Sequence, residues 1–216
     1  MFIAGIDEAG RGPVIGDMFI ALVVIERNIE GYLYEIGVKD SKTLSPAKRA
    51  ELFPKILKLS KLIVVERCSP ELIDRENLNQ IFIRAASKLI SIAEKRLKRN
   101  IDILYIDVAG SRNKTIQYIK ARGFGGNIIA EHHADTKYIV VSAASIIAKY
   151  LRDRYINYLK SIYGDFGSGY PSDSKTIRWL SNWIKYHKEL PPIVRKSWLT
   201  VRKLRTKTLL NYLRGD

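Results

Sequence analysis

The side chains best suited to chemistry in this 216-residue sequence are acids at the ends of apolar runs. Asp7 and Glu8 close a run that begins at Phe2 (FIAGID, residues 2–7), and the Ala-Gly-Arg-Gly-Pro that follows gives them no apolar cover. Asp107 lies in Ile103-Leu104-Tyr105-Ile106-Asp107-Val108, where alternation puts it on the face of Ile103 and Tyr105. Asp135 ends Glu131-His132-His133-Ala134-Asp135, directly ahead of a helical stretch. Carboxylates at buried strand ends are costly unless a cation balances them. Lysine or arginine can do so, and so can a hard, oxygen-ligated divalent ion, Mg²⁺ or Mn²⁺, that also binds substrate phosphates. Other readings stay open at this point: Asp135 suits a helix N-cap, Asp107 a satisfied strand end, and structural ion-pair networks also gather buried acids. Strand neighbours face opposite sides, so Asp7 and Glu8 both reach one ion only if the strand breaks at Glu8. Gly10 and Gly12 allow such a break, and the Glu8 carbonyl is the alternative donor. His132 and His133 are adjacent, with no cysteine near, which argues against zinc. There is no Walker loop and no G-x-G-x-x-G, so nucleotide hydrolysis and dinucleotide redox chemistry have no support.

The elements that must carry these acids read as a mixed α/β sheet flanked by helices. Strands are expected at residues 2–7, 14–25 and 61–67, then at 103–108 and 127–130. Ser45-Pro46 reads as an N-cap and first helical position, opening a helix to about residue 58. Apolar residues at 78, 81, 82, 85, 89, 92 and 93 predict an amphipathic helix over 78–99. Further helices are expected at about 113–121, 138–163, 174–188 and 197–213.

Composition narrows the class. Thirty-seven Lys+Arg against 22 Asp+Glu give a net charge of +15, with 46% hydrophobic residues, so a disordered basic tail is excluded and a polyanion is the default partner. The single cysteine, Cys68, forms no internal disulfide, which fits a reducing, cytoplasmic setting. An acidic pair at residues 7–8 comes too early for a signal peptide, and no apolar stretch is long enough to span a membrane. Residues 183–216 hold nine Lys/Arg and two Asp/Glu, nearly half the net charge. Pro191-Pro192 reads as a joint before this segment. The expected division is a catalytic domain over 1–173 and a basic helical region over 174–216.

Gly5-Ile6-Asp7-Glu8-Ala9-Gly10-Arg11-Gly12-Pro13 resembles ribonuclease HII, its archaeal-type members in particular. The resemblance continues at Asp40-Ser41-Lys42-Thr43-Leu44, the strand ending at Asp107, and His133-Ala134-Asp135-Thr136-Lys137-Tyr138. It extends through Val141-Ser142-Ala143-Ala144-Ser145-Ile146-Ile147-Ala148-Lys149, Gly167-Ser168-Gly169-Tyr170-Pro171-Ser172-Asp173 and Arg195-Lys196-Ser197-Trp198. It implies a ribonuclease H-like five-stranded fold with a basic C-terminal helical appendage. The implied enzyme cuts RNA paired with DNA, and the 5′ side of ribonucleotides embedded in duplex DNA. Two-metal hydrolysis leaves 3′-hydroxyl and 5′-phosphate ends, a chemistry of DNA repair and replication. Carried over by motif, Asp7, Glu8, Asp107 and Asp135 are the metal-binding catalytic acids. Gly10, Arg11 and Gly12 form the loop that reads the ribose 2′-hydroxyl, the local mark of RNA, and Tyr170 packs on the sugar. Lys42, with Arg11, Lys137 and Lys149, is a candidate phosphate neighbour, although a solvated surface position suits any one lysine in so basic a chain. Thr43 departs from the family, which often has lysine there. Thr206-x-x-Leu209-x-x-Tyr212-Leu213 resembles the peptide that binds the sliding clamp, with Thr206 in place of the usual glutamine, and equally reads as an amphipathic last turn. A monomer is expected. Two other functions fit the residues: an integrase-like strand transferase using spaced acids, and a non-catalytic nucleic-acid-binding protein.

Overall fold

Runs rich in valine and isoleucine pair into one sheet, and its register decides where the acids fall. A computed structural model of the chain describes residues 1–39 and 44–214, with side chains through Thr206. Asp40, Ser41, Lys42 and Thr43 therefore lie outside the described residues. The five strands are β1 (Phe2–Ala9), β2 (Met18–Glu26), β3 (Leu62–Cys68), β4 (Ile103–Asp107) and β5 (Asn127–Glu131), in the order β3-β2-β1-β4-β5. The β1–β2 pair is antiparallel, whereas β1–β4 and β4–β5 are parallel. The helices are α1 (Glu30–Glu35), α2 (Pro46–Leu59), α3 (Pro70–Arg75), α4 (Leu78–Leu97), α5 (Arg112–Lys120), α6 (Ile139–Tyr163), α7 (Ser174–Tyr186) and α8 (Leu199–Arg214). This is the mixed five-stranded sheet flanked by helices that the sequence implies. Among the described residues no helix is long and apolar enough to cross a membrane.

Local signals placed most of these elements. The Ser45 hydroxyl accepts from the Lys48 N–H at 3.2 Å, with Pro46 opening α2. In α4 the expected stripe is buried at Ile81, Phe82, Ala85, Leu89 and Ala93. The strand expected over 14–25 begins only at Met18: the chain turns at Gly16, and Ile15 forms an isolated bridge with Val194. The short helices α1 and α3 have no counterpart in the sequence reading. A single turn carries too few apolar positions to show a period.

The chain divides into two compact units, 1–9, 19–67 and 78–151 forming the first and 10–18, 68–77 and 152–216 the second. The first holds the sheet. Gly5 is essential to it, because a Cβ there would stand 2.3 Å from the Val140 carbonyl oxygen. Only a residue without a side chain lets α6 approach β1 this closely. Parallel register places Gly5 beside Tyr105, so α6 covers the face that also carries residues 3 and 7.

The second unit has its own core, including Val14, Ile15, Phe166, Leu180, Val194 and Val201. The boundary expected at 173/174 lies inside it, because Phe166 and Leu180 share that core. Nor is Pro191-Pro192 a free joint: Ile193, Val194 and Arg195 beyond it are all buried. Apolar residues on both sides of the prolines hold the segment down.

Gly5→Ala should lower stability by about 2–3 kcal/mol or more in chemical denaturation, as overpacking does. Gly31→Ala, in α1 with open space around it, should instead be neutral or gain up to about 1 kcal/mol from helix propensity. Equal effects at the two positions would remove the argument for close approach.

Candidate active site

In the first unit, β1 and β4 pair so that residue 3 faces 103 and residue 6 faces 106. One step further puts Asp7 beside Asp107 on the same face. Asp135 enters from a 3₁₀ turn, Ala134–Thr136, that follows β5. Carboxylate oxygens of Asp7, Asp107 and Asp135 lie within 4.8 Å of one another. Asp135 is 3% exposed and sits in this turn, not at the N-cap of α6. Glu8 is not among these three acids; it follows Asp7 directly in β1, which runs on to Ala9.

The surroundings orient these acids. The Glu8 N–H donates to Asp7 Oδ1 at 2.7 Å, and the Ser145 hydroxyl on α6 donates to the same carboxylate. His133, in the left-handed conformation at φ +57°, directs its N–H to Asp107 Oδ1 at 3.2 Å. The imidazole of His132 is engaged with the Val108 carbonyl oxygen. Burial pushes the Asp7 carboxyl up to about 8, the Ser145 and Glu8 hydrogen bonds oppose that, and the charges of Asp107 and Asp135 add to it. Both hydrogen-bond donors to Asp7 are neutral dipoles, so they orient the carboxylate without neutralising the group. Three hard oxygen donors in one place, two of them buried, fit a divalent cation.

Ser145 received no role in the sequence reading. Its one signal was that it is one of two serines, with Ser142, inside an otherwise apolar helical run over 140–148, where a buried hydroxyl needs a partner. Lys137, a candidate phosphate neighbour, instead pairs with Glu131, which also accepts from the Tyr138 hydroxyl at 3.1 Å. The Lys137 contact above all, helped by the Tyr138 hydroxyl, holds the Glu131 carboxyl below its ordinary range.

The second unit brings together the glycine loop and Tyr170. Gly10 has φ +90°, and a Cβ on it would meet the Asp17 carbonyl oxygen at 2.7 Å, so the fold itself demands glycine there. Gly12 is different: a Cβ would sit 3.6 Å from Tyr170 Cε1, an ordinary contact. The fold leaves room for a Cβ at position 12, which would occupy the space beside the tyrosine ring. Arg152 lies over that ring, its guanidinium carbon 5.1 Å from the centroid.

Residues 4–201 match the ribonuclease HII family. The chain belongs to that family. It is 43% identical over 224 residues to the ribonuclease HII of Pyrococcus abyssi, covering 99% of this chain and 98% of that one. It is similar to the crystal structure of ribonuclease H2 from Pyrococcus horikoshii OT3, with TM-score 0.87, 41% identity and coverage of 97% and 99%. It is also similar to the ribonuclease HII of Archaeoglobus fulgidus solved in its complex with PCNA, with TM-score 0.83, 40% identity and the same coverage. As a member of the ribonuclease HII family the protein is a metal-dependent ribonuclease, and the acid group of the first unit fits its metal site.

Burial pushes the Asp7 carboxyl up from 3.8 to about 8 in the fold. Between those values the folded chain binds more protons than the unfolded one, so metal-free stability should fall as pH rises, by up to about 1.4 kcal/mol per unit. Denaturation in chelator from pH 4 to 8 checks this, and Asp7→Asn should flatten the profile. Asp107→Asn should abolish cleavage while leaving metal-free stability equal or higher, because carboxylate repulsion is relieved. A large loss of stability in that variant would make Asp107 structural instead.

Proposed function

We propose that the chain hydrolyses the RNA strand of RNA/DNA hybrids and nicks duplex DNA on the 5′ side of an embedded ribonucleotide. The observation that carries this reading is the convergence of Asp7, Asp107 and Asp135 in a member of this family. These three, with Glu8 included on the strength of the Gly5–Pro13 motif, would hold Mg²⁺ or Mn²⁺. When bound, a pair of such ions lowers the pKa of water and offsets the charge on the leaving oxygen. Asp7 is kept in place by Ser145 and the Glu8 N–H, and Asp107 by the His133 N–H, so the oxygens need little rearrangement at the moment of reaction. Water adds its oxygen to phosphorus, the bond from phosphorus to O3′ breaks, and O3′ takes the proton. The ends are therefore a 3′-hydroxyl and a 5′-phosphate.

Ribose recognition falls to the loop of Gly10, Arg11 and Gly12 with Tyr170, which is joined to β1 through the Ala9–Gly10 peptide bond. Exposed Arg202, Lys203 and Arg205 on α8 would hold phosphates through salt-sensitive contacts, and Lys42 would add another. Acting as a monomer, the enzyme would reach a sliding clamp through Thr206, Leu209, Tyr212 and Leu213. The PCNA complex of the Archaeoglobus relative supports that partner.

A duplex with one embedded ribonucleotide, incubated with Mg²⁺ or Mn²⁺, should be cut once on its 5′ side, and an all-DNA duplex of the same sequence left intact. Equal cutting of both would favour a strand transferase, and no cutting under any metal a binding protein. Gly12→Ala should keep the wild-type melting temperature and lose roughly 10-fold or more in rate. Tyr170→Ala should lose preference for the RNA–DNA junction with metal binding retained.

A further inference from the structure

The loop proposed to read ribose is gripped from behind by a side chain more than 180 positions away. Arg195 is fully buried, and its guanidinium donates to three carbonyls: Gly16 at 2.9 Å, Arg11 at 2.9 Å and Gly10 at 2.5 Å. The Trp198 indole N–H donates to the Gly12 carbonyl at 3.3 Å. All three loop carbonyls are thus turned toward one short segment of the chain. That segment is fixed in turn by Asp74 of α3, whose carboxylate accepts from the Lys196 N–H at 2.8 Å, the Ser197 N–H at 2.9 Å and the Ser197 hydroxyl at 2.6 Å. Arg195 also anchors itself through its own N–H, which donates to the Val14 carbonyl at 2.9 Å.

A trans peptide group is planar, with its C=O and N–H pointing in opposite directions. Holding the Arg11 carbonyl therefore aims the Gly12 N–H away from the guanidinium, at a residue that is exposed to solvent. The next peptide has no N–H, since residue 13 is proline. We infer that Arg195 and Trp198, seated by Asp74, are positioning residues that lock the Gly12 N–H in the orientation from which it meets the 2′-hydroxyl of the substrate ribose. The inference rests on the ribose-reading role proposed above for this loop. Neither residue touches substrate; both act through the loop backbone. Burial, with the nearby charge of Arg152, lowers the Arg195 guanidinium to about 10, which leaves it fully charged at neutral pH, where its hold on the carbonyls is strongest.

The expected signature is a loss of rate on ribose without a loss of fold or metal. Trp198→Phe removes one hydrogen bond and keeps an aromatic ring, and Arg195→Lys keeps the charge but not the fork. Both are compared with Gly12→Ala in single-turnover cleavage of the single-ribonucleotide duplex, with Mn²⁺ binding measured by calorimetry. Each should bind Mn²⁺ as the wild type does and cut roughly 10-fold or more slowly at saturating substrate, with KM little changed. In an all-RNA strand paired with DNA, their cuts should spread over neighbouring phosphates. A merely structural role would reduce the amplitude, through the folded fraction, and leave the rate alone. Unchanged rates in Trp198→Phe and Arg195→Lys, with Gly12→Ala slow, would overturn the inference and spare the ribose-reading loop. An unchanged rate in Gly12→Ala would overturn the loop's role itself. Should Arg195→Lys fail to fold, Trp198→Phe and Asp74→Asn decide the question.

Discussion

Like charges confined at a buried strand end set the terms for the first unit. The parallel pairing of β1 and β4 places Asp7 beside Asp107 whether or not the charges favour it, and the turn after β5 adds Asp135. A surface can spread such groups apart; a sheet register cannot, because slipping by one residue would turn every side chain of the strand to the other face. The repulsion is therefore built into the same pairing that makes the core. It has two outlets, proton uptake or a cation. With Asp7 pushed up to about 8, the metal-free site takes the first, and a divalent ion offers the second. Stability withheld in the absence of metal becomes affinity in its presence, because whatever binds the folded acids and not the unfolded ones shifts the equilibrium toward the fold.

Positive charge needs the same scrutiny. A net +15 invites the view that arginine and lysine are there for phosphate. Arg195, within the most basic stretch, is wholly interior and donates to backbone carbonyls. Lys137 is committed to Glu131, and Arg152 lies over Tyr170. The cations left for a polyanion include exposed Arg202, Lys203 and Arg205 on α8. Residue type alone did not separate these jobs; burial and partners did.

Legibility in the sequence followed the range of the signal. β1, β4 and β5 could be read because their apolar runs are uninterrupted, and α2 because Ser45-Pro46 is a self-contained cap. Asp7, Asp107 and Asp135 stood out because acids ending apolar strands conflict with burial. The tension over Glu8 was also visible, since strand alternation sets it apart from Asp7 in an uninterrupted β1. The role of Ser145 was not legible, because the acid it orients is on another element. Arg195 was the hardest case: the run Arg195-Lys196-Ser197-Trp198 looks like ordinary basic surface until the chain folds back to residue 10. The domain boundary failed for the same reason, as Val14 and Val194 meet only in three dimensions.

The ribose-reading role proposed for the loop, discrimination by a single hydroxyl, would place a particular demand on it. A hydrogen bond from an N–H to a 2′-hydroxyl is worth only about 1 kcal/mol net if the loop can turn to water when the hydroxyl is missing. Rejection becomes severe, on the order of 10⁴-fold, only where the donor is held so that a deoxyribose leaves it unsatisfied. Flexibility, which glycines would normally bring, works against this. Gly10 is present because its left-handed backbone and the nearby Asp17 carbonyl exclude a side chain, whereas a Cβ at Gly12 would meet only the Tyr170 ring, at 3.6 Å, so the proposed role would need that space open. Both glycines loosen the chain where the proposed role would need it stiff. The guanidinium of Arg195 restores the stiffness from inside, taking several carbonyls with one rigid fork, and the Trp198 indole closes the remaining one. A buried cation is costly to place, yet an apolar side chain of equal volume would leave those carbonyls without donors. On the proposed reading, selectivity at the ribose would depend on a charge that the substrate never meets.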